Sequence, residues 1–180
     1  MRRDRNGPIR ALVVEDDFLV AAMVQGMLRQ IGCEVVGWAT GGEEAVSLAL
    51  AHMPDVVVMD IQLNDEVSGI EAARRISERW PMPVVILSAY ESPELLQEAT
   101  RAGVGAYLLK PPDERDLERA ITIARARFQD LVEIRRLTGE VFRLAHELEA
   151  AQRERDNLGE LLLRTQARLG AMEVDDQAEG

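Results

Sequence analysis

Asp55-Val-Val-Val-Met-Asp60 decides how the chain is read. An unbroken apolar run stands between a Pro54-Asp55 break and a terminal carboxylate. Such a run suits a strand buried on both faces of a parallel sheet. In open α/β sheets, ligands bind outside the carboxyl ends of the strands. Asp60 is therefore expected in that crevice, and the flanking sequence shows what else reaches it.

Upstream, Ile9 to Val14 reads as a first strand and runs into Glu15-Asp16-Asp17. Phe18 to Ile31 has helical apolar spacing and stops at Gly32. Asp17 suits the cap of that helix. Cys33 to Ala39 is a second strand, and Thr40-Gly-Gly-Glu43 a capping box opening a helix to about His52. Downstream of Asp60, Ser68-Gly-Ile-Glu71 forms a second box, with a helix to about Trp80. Pro83 to Leu87 is a strand ending at Ser88. Ser92-Pro93 caps a helix that stops before Gly103. Ala106 to Leu109 closes the series at Lys110-Pro111-Pro112, and Asp113 can cap the final helix. Strands alternating with helices give a doubly wound, five-stranded parallel sheet with right-handed crossovers. Glu15, Asp16, Asp60, Ser88 and Lys110 all follow strand ends, so one sheet edge should gather them.

The composition narrows the chemistry. The 180 residues suffice for one α/β domain and an extension. A net charge of -11 argues against non-specific binding of nucleic acid. A single cysteine, Cys33, rules out an internal disulfide framework and fits a reducing compartment. No signal-peptide stretch follows the charged start, and nothing approaches the ~18 apolar residues of a membrane span. A soluble cytoplasmic protein is expected.

Carboxylates crowded at one edge repel each other unless a cation joins them. The ligands on offer are oxygen, which favours a hard ion such as Mg²⁺. Ser88 adds a hydroxyl and Lys110 an ammonium, completing a site for a phosphoryl group. Asp60, on the central strand, is the candidate nucleophile, forming an aspartyl phosphate. Lys110 is the only lysine in the chain; every other basic residue of this type is arginine.

These residues, in this order, resemble the receiver domain of two-component response regulators. The family's acidic pair matches Glu15-Asp16, its phosphoacceptor Asp60, its hydroxyl Ser88 in Val-Val-Ile-Leu-Ser-Ala, and its lysine Lys110 in Tyr-Leu-Leu-Lys-Pro. The resemblance spans residues 9 to about 125. It implies the flavodoxin-like receiver fold, and Mg²⁺ held by Asp16, Asp60 and the backbone carbonyl of Gln62, with Glu15 acting through water. It also implies phosphate from a histidine kinase, a cis bond before Pro111, and a non-enzymatic phosphoacceptor that at most dephosphorylates itself slowly. Ser88 and Tyr107 would form the switch, while Gln62 and Tyr90 would tune phosphate lifetime. The loop after Asp60 departs from the family, lacking the proline usual four residues on and running one residue longer than the commonest form.

Three segments are expected: a receiver at 8–125, a helical coiled coil at 126–172 and a disordered acidic tail at 173–180. From Leu117 onward there is no proline. Apolar residues pass through Ile121, Ala124, Phe128, Leu131, Ile134 and Leu137. They then step by four and three from Val141 through Leu144, Leu148, Ala151, Leu158 and Leu162 to Leu169 and Met172. This is a heptad seam, distorted in phase near Ile134 and weakened by Arg155 and Thr165. A lone helix would expose its stripe, so residues 117–172 are expected to form a homodimer, with parallel strands preferred.

Two other outputs compete with a coiled coil that contacts a protein effector. The stretch from Ala126 to Leu144 resembles the linker coil of antiterminators that bind RNA through an ANTAR domain. Too few residues follow for that domain, and residues 117–180 hold ten arginines against thirteen acids, with no aromatic after Phe142. A truncated RNA-binding antiterminator is therefore the alternative, not the leading reading. His146, at an outer heptad position, suggests a phosphotransfer or kinase-like helix, but no ATP-binding domain follows it.

Overall fold

The structure, a computed structural model, describes residues 7–90 and 92–178, with side chains described as far as Ala167. The chain divides into two units, 1–131 and 132–180. In the first, the strands are β1 (Arg10–Val14), β2 (Glu34–Ala39), β3 (Val56–Asp60), β4 (Val84–Ser88) and β5 (Ala106–Leu109). The helices are α1 (Phe18–Gln30), α2 (Gly42–His52), α3 (Gly69–Arg79), α4 (Pro93–Arg101) and α5, which begins at Glu114 and ends at Ala178. All strand pairs are parallel, in the order β2-β1-β3-β4-β5.

The opening run is the middle strand, and every residue of β3 is buried. Its side chains alternate between two cores, as strand geometry requires. Val57 and Met59 pack with Ala45, Val46, Ile70 and Ile76 of α2 and α3. Val56 and Val58 pack with Val24 and Leu28 of α1 and with Leu117, Ile121 and Ala124 of α5. Both faces are covered, so the strand carries no polar residue until its end. The edge strand β5 is only partly buried.

Helix starts follow the sequence with one correction. Asp17 caps α1, accepting from Leu19 N and Val20 N at 2.7 and 3.0 Å. Ser68, Ser92 and Asp113 each accept a bond from a backbone N–H three residues on. The box expected at Thr40–Glu43 does not form. The N-cap of α2 is Gly41, which has no side chain to offer. Thr40 turns instead to Glu44 Oε2, donating from N at 2.8 Å and from Oγ1 at 3.2 Å. The peptide bond before Pro111 is cis.

In the second unit, every described side chain from Val132 to Ala167 is exposed. The stretch 173–178, expected to lack order, lies within α5; residues 179–180, and the side chains of Leu169 and Met172, lie outside what is described. The dimer contact, expected to begin at residue 117, also needs correction. Leu117, Ile121 and Ala124 are core of the first unit and are 0–2% exposed. An apolar series at helical spacing can be filled by a sheet as readily as by a second helix. The stripe free for a partner begins further along, where Ile134, Leu137, Val141, Leu144 and Leu148 are all exposed.

Two glycines separate close packing from open space. A Cβ on Gly69 would lie 1.8 Å from the Asp60 carbonyl oxygen, whereas one on Gly26 meets nothing within 4 Å. Gly69→Ala should cost about 3 kcal/mol, as overpacking against backbone does at its worst. Gly26→Ala, mid-helix, should gain about 0.5–1 kcal/mol. Urea unfolding midpoints of the two variants check both signs.

Candidate functional site

Sheet register builds the site. Val13 pairs with Val58 and Val14 with Met59, so Glu15 and Asp60 come next, side by side. Val13 and Val58 face the α1/α5 core, and two residues on Glu15 and Asp60 turn the same way. Leu108 packs on that core too, which brings Lys110 to the same side. Ile86 and Tyr107 belong to the opposite face, and Ser88 follows Ile86. The crevice is thus assembled from both faces: acids and ammonium from one, two hydroxyls from the other.

Glu15 and Asp60 are 2% and 7% exposed. The Lys110 ammonium lies between them, donating to Glu15 Oε2 at 2.6 Å and Asp60 Oδ2 at 2.7 Å. Gln62 N donates to Asp60 Oδ1 at 3.2 Å. Asp16 completes the acidic group: Glu15, Asp16 and Asp60 each offer an oxygen within 4.8 Å of the others. Burial pushes the Glu15 carboxyl above its ordinary range; the Lys110 hydrogen bond opposes this and the charge of Asp60 adds to it. For Lys110, burial works against the ammonium, but bonds and charges from Asp60 and Glu15 prevail and raise its pKa.

Three carboxylates against one ammonium leave two negative charges in excess. Their donors are all oxygen and close together, which fits one divalent hard cation and would close the local balance. Mg²⁺ therefore suits the residues present.

Ser88 is buried and its Oγ donates to the Tyr90 carbonyl at 2.7 Å. The Tyr107 hydroxyl donates to the same carbonyl at 2.6 Å. Gln62 Nε2 in turn donates to the Tyr90 hydroxyl at 2.7 Å. Glu15, Asp16, Asp60, Gln62, Ser88, Tyr90, Tyr107 and Lys110 are therefore all at this edge, and Tyr90 ties the two hydroxyls to the loop after Asp60; His146, also singled out from sequence, belongs to the second unit.

Two contributors went unread in the sequence. Trp38 Nε1 donates to the Glu15 carbonyl at 2.8 Å. Asn64 Nδ2 donates to Asp16 Oδ2 at 2.6 Å. Both bonds join residues distant along the chain, and no local pattern signals them. The missing proline was the single hint at Asn64.

The raised pKa of Glu15 has a thermodynamic sign. The folded state binds its proton more tightly than the unfolded chain, so Glu15 favours folding below its unfolded pKa and loses that advantage as pH rises through the folded value. In EDTA, Glu15→Gln should raise the melting temperature at pH 7, with the gain fading toward pH 4. Saturating Mg²⁺ should shrink the gain at pH 7. Thermal unfolding with and without the metal checks it.

Comparison with known proteins agrees with this geometry. The sequence model of the response regulator receiver domain matches residues 11–122. The transcriptional regulatory protein PdtaR of Mycobacterium tuberculosis is 42% identical over 142 residues, covering 79% of this chain and 67% of that protein. A protein-glutamate methylesterase/protein-glutamine glutaminase of Haloarcula marismortui is 38% identical over 112 residues, covering 61% of this chain but only 30% of its own length. Among solved structures, the signal receiver domain of a modulated diguanylate cyclase from Desulfovibrio desulfuricans is 32% identical with a TM-score of 0.63, covering 68% of this chain and 97% of that one. The match over residues 11–122 and the 42% identity to PdtaR show that the chain belongs to the response regulator receiver domain family.

Proposed function

We propose that the chain accepts a phosphoryl group on Asp60 from a histidine kinase and signals through its C-terminal helix. The observation that carries this reading is the Lys110 ammonium, held at 2.6 and 2.7 Å between Glu15 and Asp60. It keeps the Asp60 carboxylate oriented and meets charge that builds on the incoming group.

In the transfer, an Asp60 carboxylate oxygen attacks phosphorus and forms an O–P bond. The donor's P–N bond breaks, and its electron pair leaves with the imidazole. Asp16, Asp60 and the Gln62 carbonyl would hold Mg²⁺, with Glu15 reached through water, and the ion supplies charge neutralisation around the phosphoryl oxygens. Ser88 acts as the sensor of the modified acid, since its hydroxyl can trade the Tyr90 carbonyl for a phosphoryl oxygen. Tyr107 shares that carbonyl and responds with it, a two-state element biased by local hydrogen bonding. The Gln62–Tyr90 contact lies between the acceptor loop and the loop after β4, where it limits attacking water and lengthens the life of the acyl phosphate. The chain is a phosphoacceptor, not an enzyme acting on a separate substrate.

The output we favour is a coiled-coil homodimer that contacts a protein effector. The exposed stripe from Ile134 to Leu162 supports it, because a single helix would leave these side chains in water. The arginines argue against nucleic acid as partner: Arg136, Arg143, Arg153, Arg155 and Arg164 each pair with an acid on the same helix. His146 packs edge-on against Phe142, with ring centroids 4.6 Å apart, and has no acid partner to tune it for phosphotransfer among the described residues. The similarity to PdtaR spans 142 residues, too long to end at residue 122, so it continues into this helix.

Incubation with a small-molecule phosphodonor and Mg²⁺ should label the wild type to near one phosphate per chain and leave Asp60→Asn unlabelled; equal labelling refutes the assignment. In sedimentation, the wild type should run as a dimer. Leu144→Asp with Leu148→Asp should run as a monomer that still accepts phosphate.

A further inference from the structure

Of the acids at the sheet edge, two are held by Lys110 and the third is not. Asp16 is half-buried, and among the described residues its one side-chain partner is Asn64, whose Nδ2 donates to Oδ2 at 2.6 Å. Asn64 stands four residues after Asp60, where the common loop of the family has a proline with no side-chain donor. In this chain an amide replaces the ring and reaches back to Asp16, in the turn after β1.

Asn64 does not reach from a free arm. The next residue, Asp65, is tied to α2. Asp65 Oδ2 lies 3.4 Å from Glu43 N, and Oδ1 accepts from Glu66 N at 2.7 Å. Backbone N–H groups, of Glu66 first and Glu43 next, hold the Asp65 carboxyl below the usual carboxylate range. The helix it serves begins at Gly41, which supplies no cap of its own. A Cβ on Gly41 would lie 2.5 Å from Asp65 Oδ2, so the glycine admits the carboxylate from the neighbouring loop. A negative group at a helix N-terminus is favoured by the partial charges there. Asp65 thus clamps the loop, and the loop delivers Asn64 to Asp16.

We infer that Asn64 is a positioning residue for the cation site: it fixes the Asp16 carboxylate by one oxygen and leaves the other, Oδ1, presented to Mg²⁺. The inference rests on the reading that Glu15, Asp16 and Asp60 bind that ion. Mg²⁺ demands near-ideal octahedral geometry, so a freely rotating carboxylate is a poor ligand. Asn64 settles the rotamer before the ion arrives, which removes an ordering cost from binding. The two-residue unit Asn64-Asp65 also makes the metal site answerable to the start of α2, through contacts separate from the Ser88–Tyr90–Tyr107 group.

The test is calorimetric titration of MgCl₂ into the full chain, together with melting in EDTA. Loss of an outer hydrogen-bond partner typically weakens a metal site 10–100-fold, and the open position of Asp16 sets the expectation for Asn64→Ala at about tenfold in Kd. Asp65→Ala, one step further out, should weaken Mg²⁺ by a smaller factor. Asn64→Gln, which keeps the amide donor, should recover part of the loss. The melting temperature of Asn64→Ala in EDTA should match that of the wild type. A wild type that binds Mg²⁺ beside an Asn64→Ala variant of equal affinity overturns the role of Asn64 and leaves the proposed function standing. An affinity loss that only follows a fall in EDTA melting temperature overturns it as well, since Asn64 is then merely structural. A wild type that takes no Mg²⁺ overturns the reading on which the inference rests.

Discussion

One ammonium set among three carboxylates governs this molecule. Lys110 follows the edge strand β5, whereas Glu15 follows β1 and Asp60 ends β3, which pair with each other. The ion contacts therefore tie the outside of the sheet to its middle. Burying two carboxylates is costly without a counter-charge, and partial compensation leaves a site that favours a cation. The same excess charge that strains the metal-free fold is what suits the edge to a divalent cation. Stability has been exchanged here for binding, a common condition of functional sites.

The alternation of a β-strand divides the labour at that edge. Odd and even positions of β3, β4 and β5 send their side chains to different cores. Asp60, Glu15 and the Lys110 counter-charge come from the α1/α5 side. Ser88 and Tyr107 come from the side of α2 and α3, and meet at one carbonyl, that of Tyr90. Asp60 and the two hydroxyls thus lie on opposite faces of the sheet and come closest at the β4 terminus. Two hydroxyls share that one oxygen, so the position of each is set by the same peptide group.

Much of this was legible in the chain. The run ending at Asp60 suits a doubly buried strand, and the alternation of strands and helices fixes where all strand ends lie. Glu15, Asp60, Ser88 and Lys110 could be placed because each follows a strand end directly. Two kinds of feature could not be read. Contacts between loops, such as Asn64 with Asp16 and Asp65 with α2, depend on loop shape, which no periodicity encodes. At Thr40 a local pattern suggested a capping box, but Thr40 donates to Glu44 instead, and the Glu43 N–H that the box would use meets the Asp65 carboxylate, 22 positions away. The apolar stripe of α5 misled in another way. Periodicity shows that a helix has a sticky face but not what covers it, and the first turns, at Leu117 and Ile121, turned out to be covered by the sheet.

The arginine habit of this sequence has a chemical corollary. With Lys110 as the only lysine, the chain has a single ε-amine, and it sits inside the acidic crevice with 18% of its side chain exposed. Acylating agents that titrate dozens of surface amines on an ordinary protein have no decoys here beyond the chain terminus. Neutralising that one nitrogen, by reagent or by enzyme, would strip the counter-charge from Glu15 and Asp60 in one step. Glu15 and Asp60 keep that nitrogen protonated and so slow to acylate, and the mass of one acyl group would report its modification.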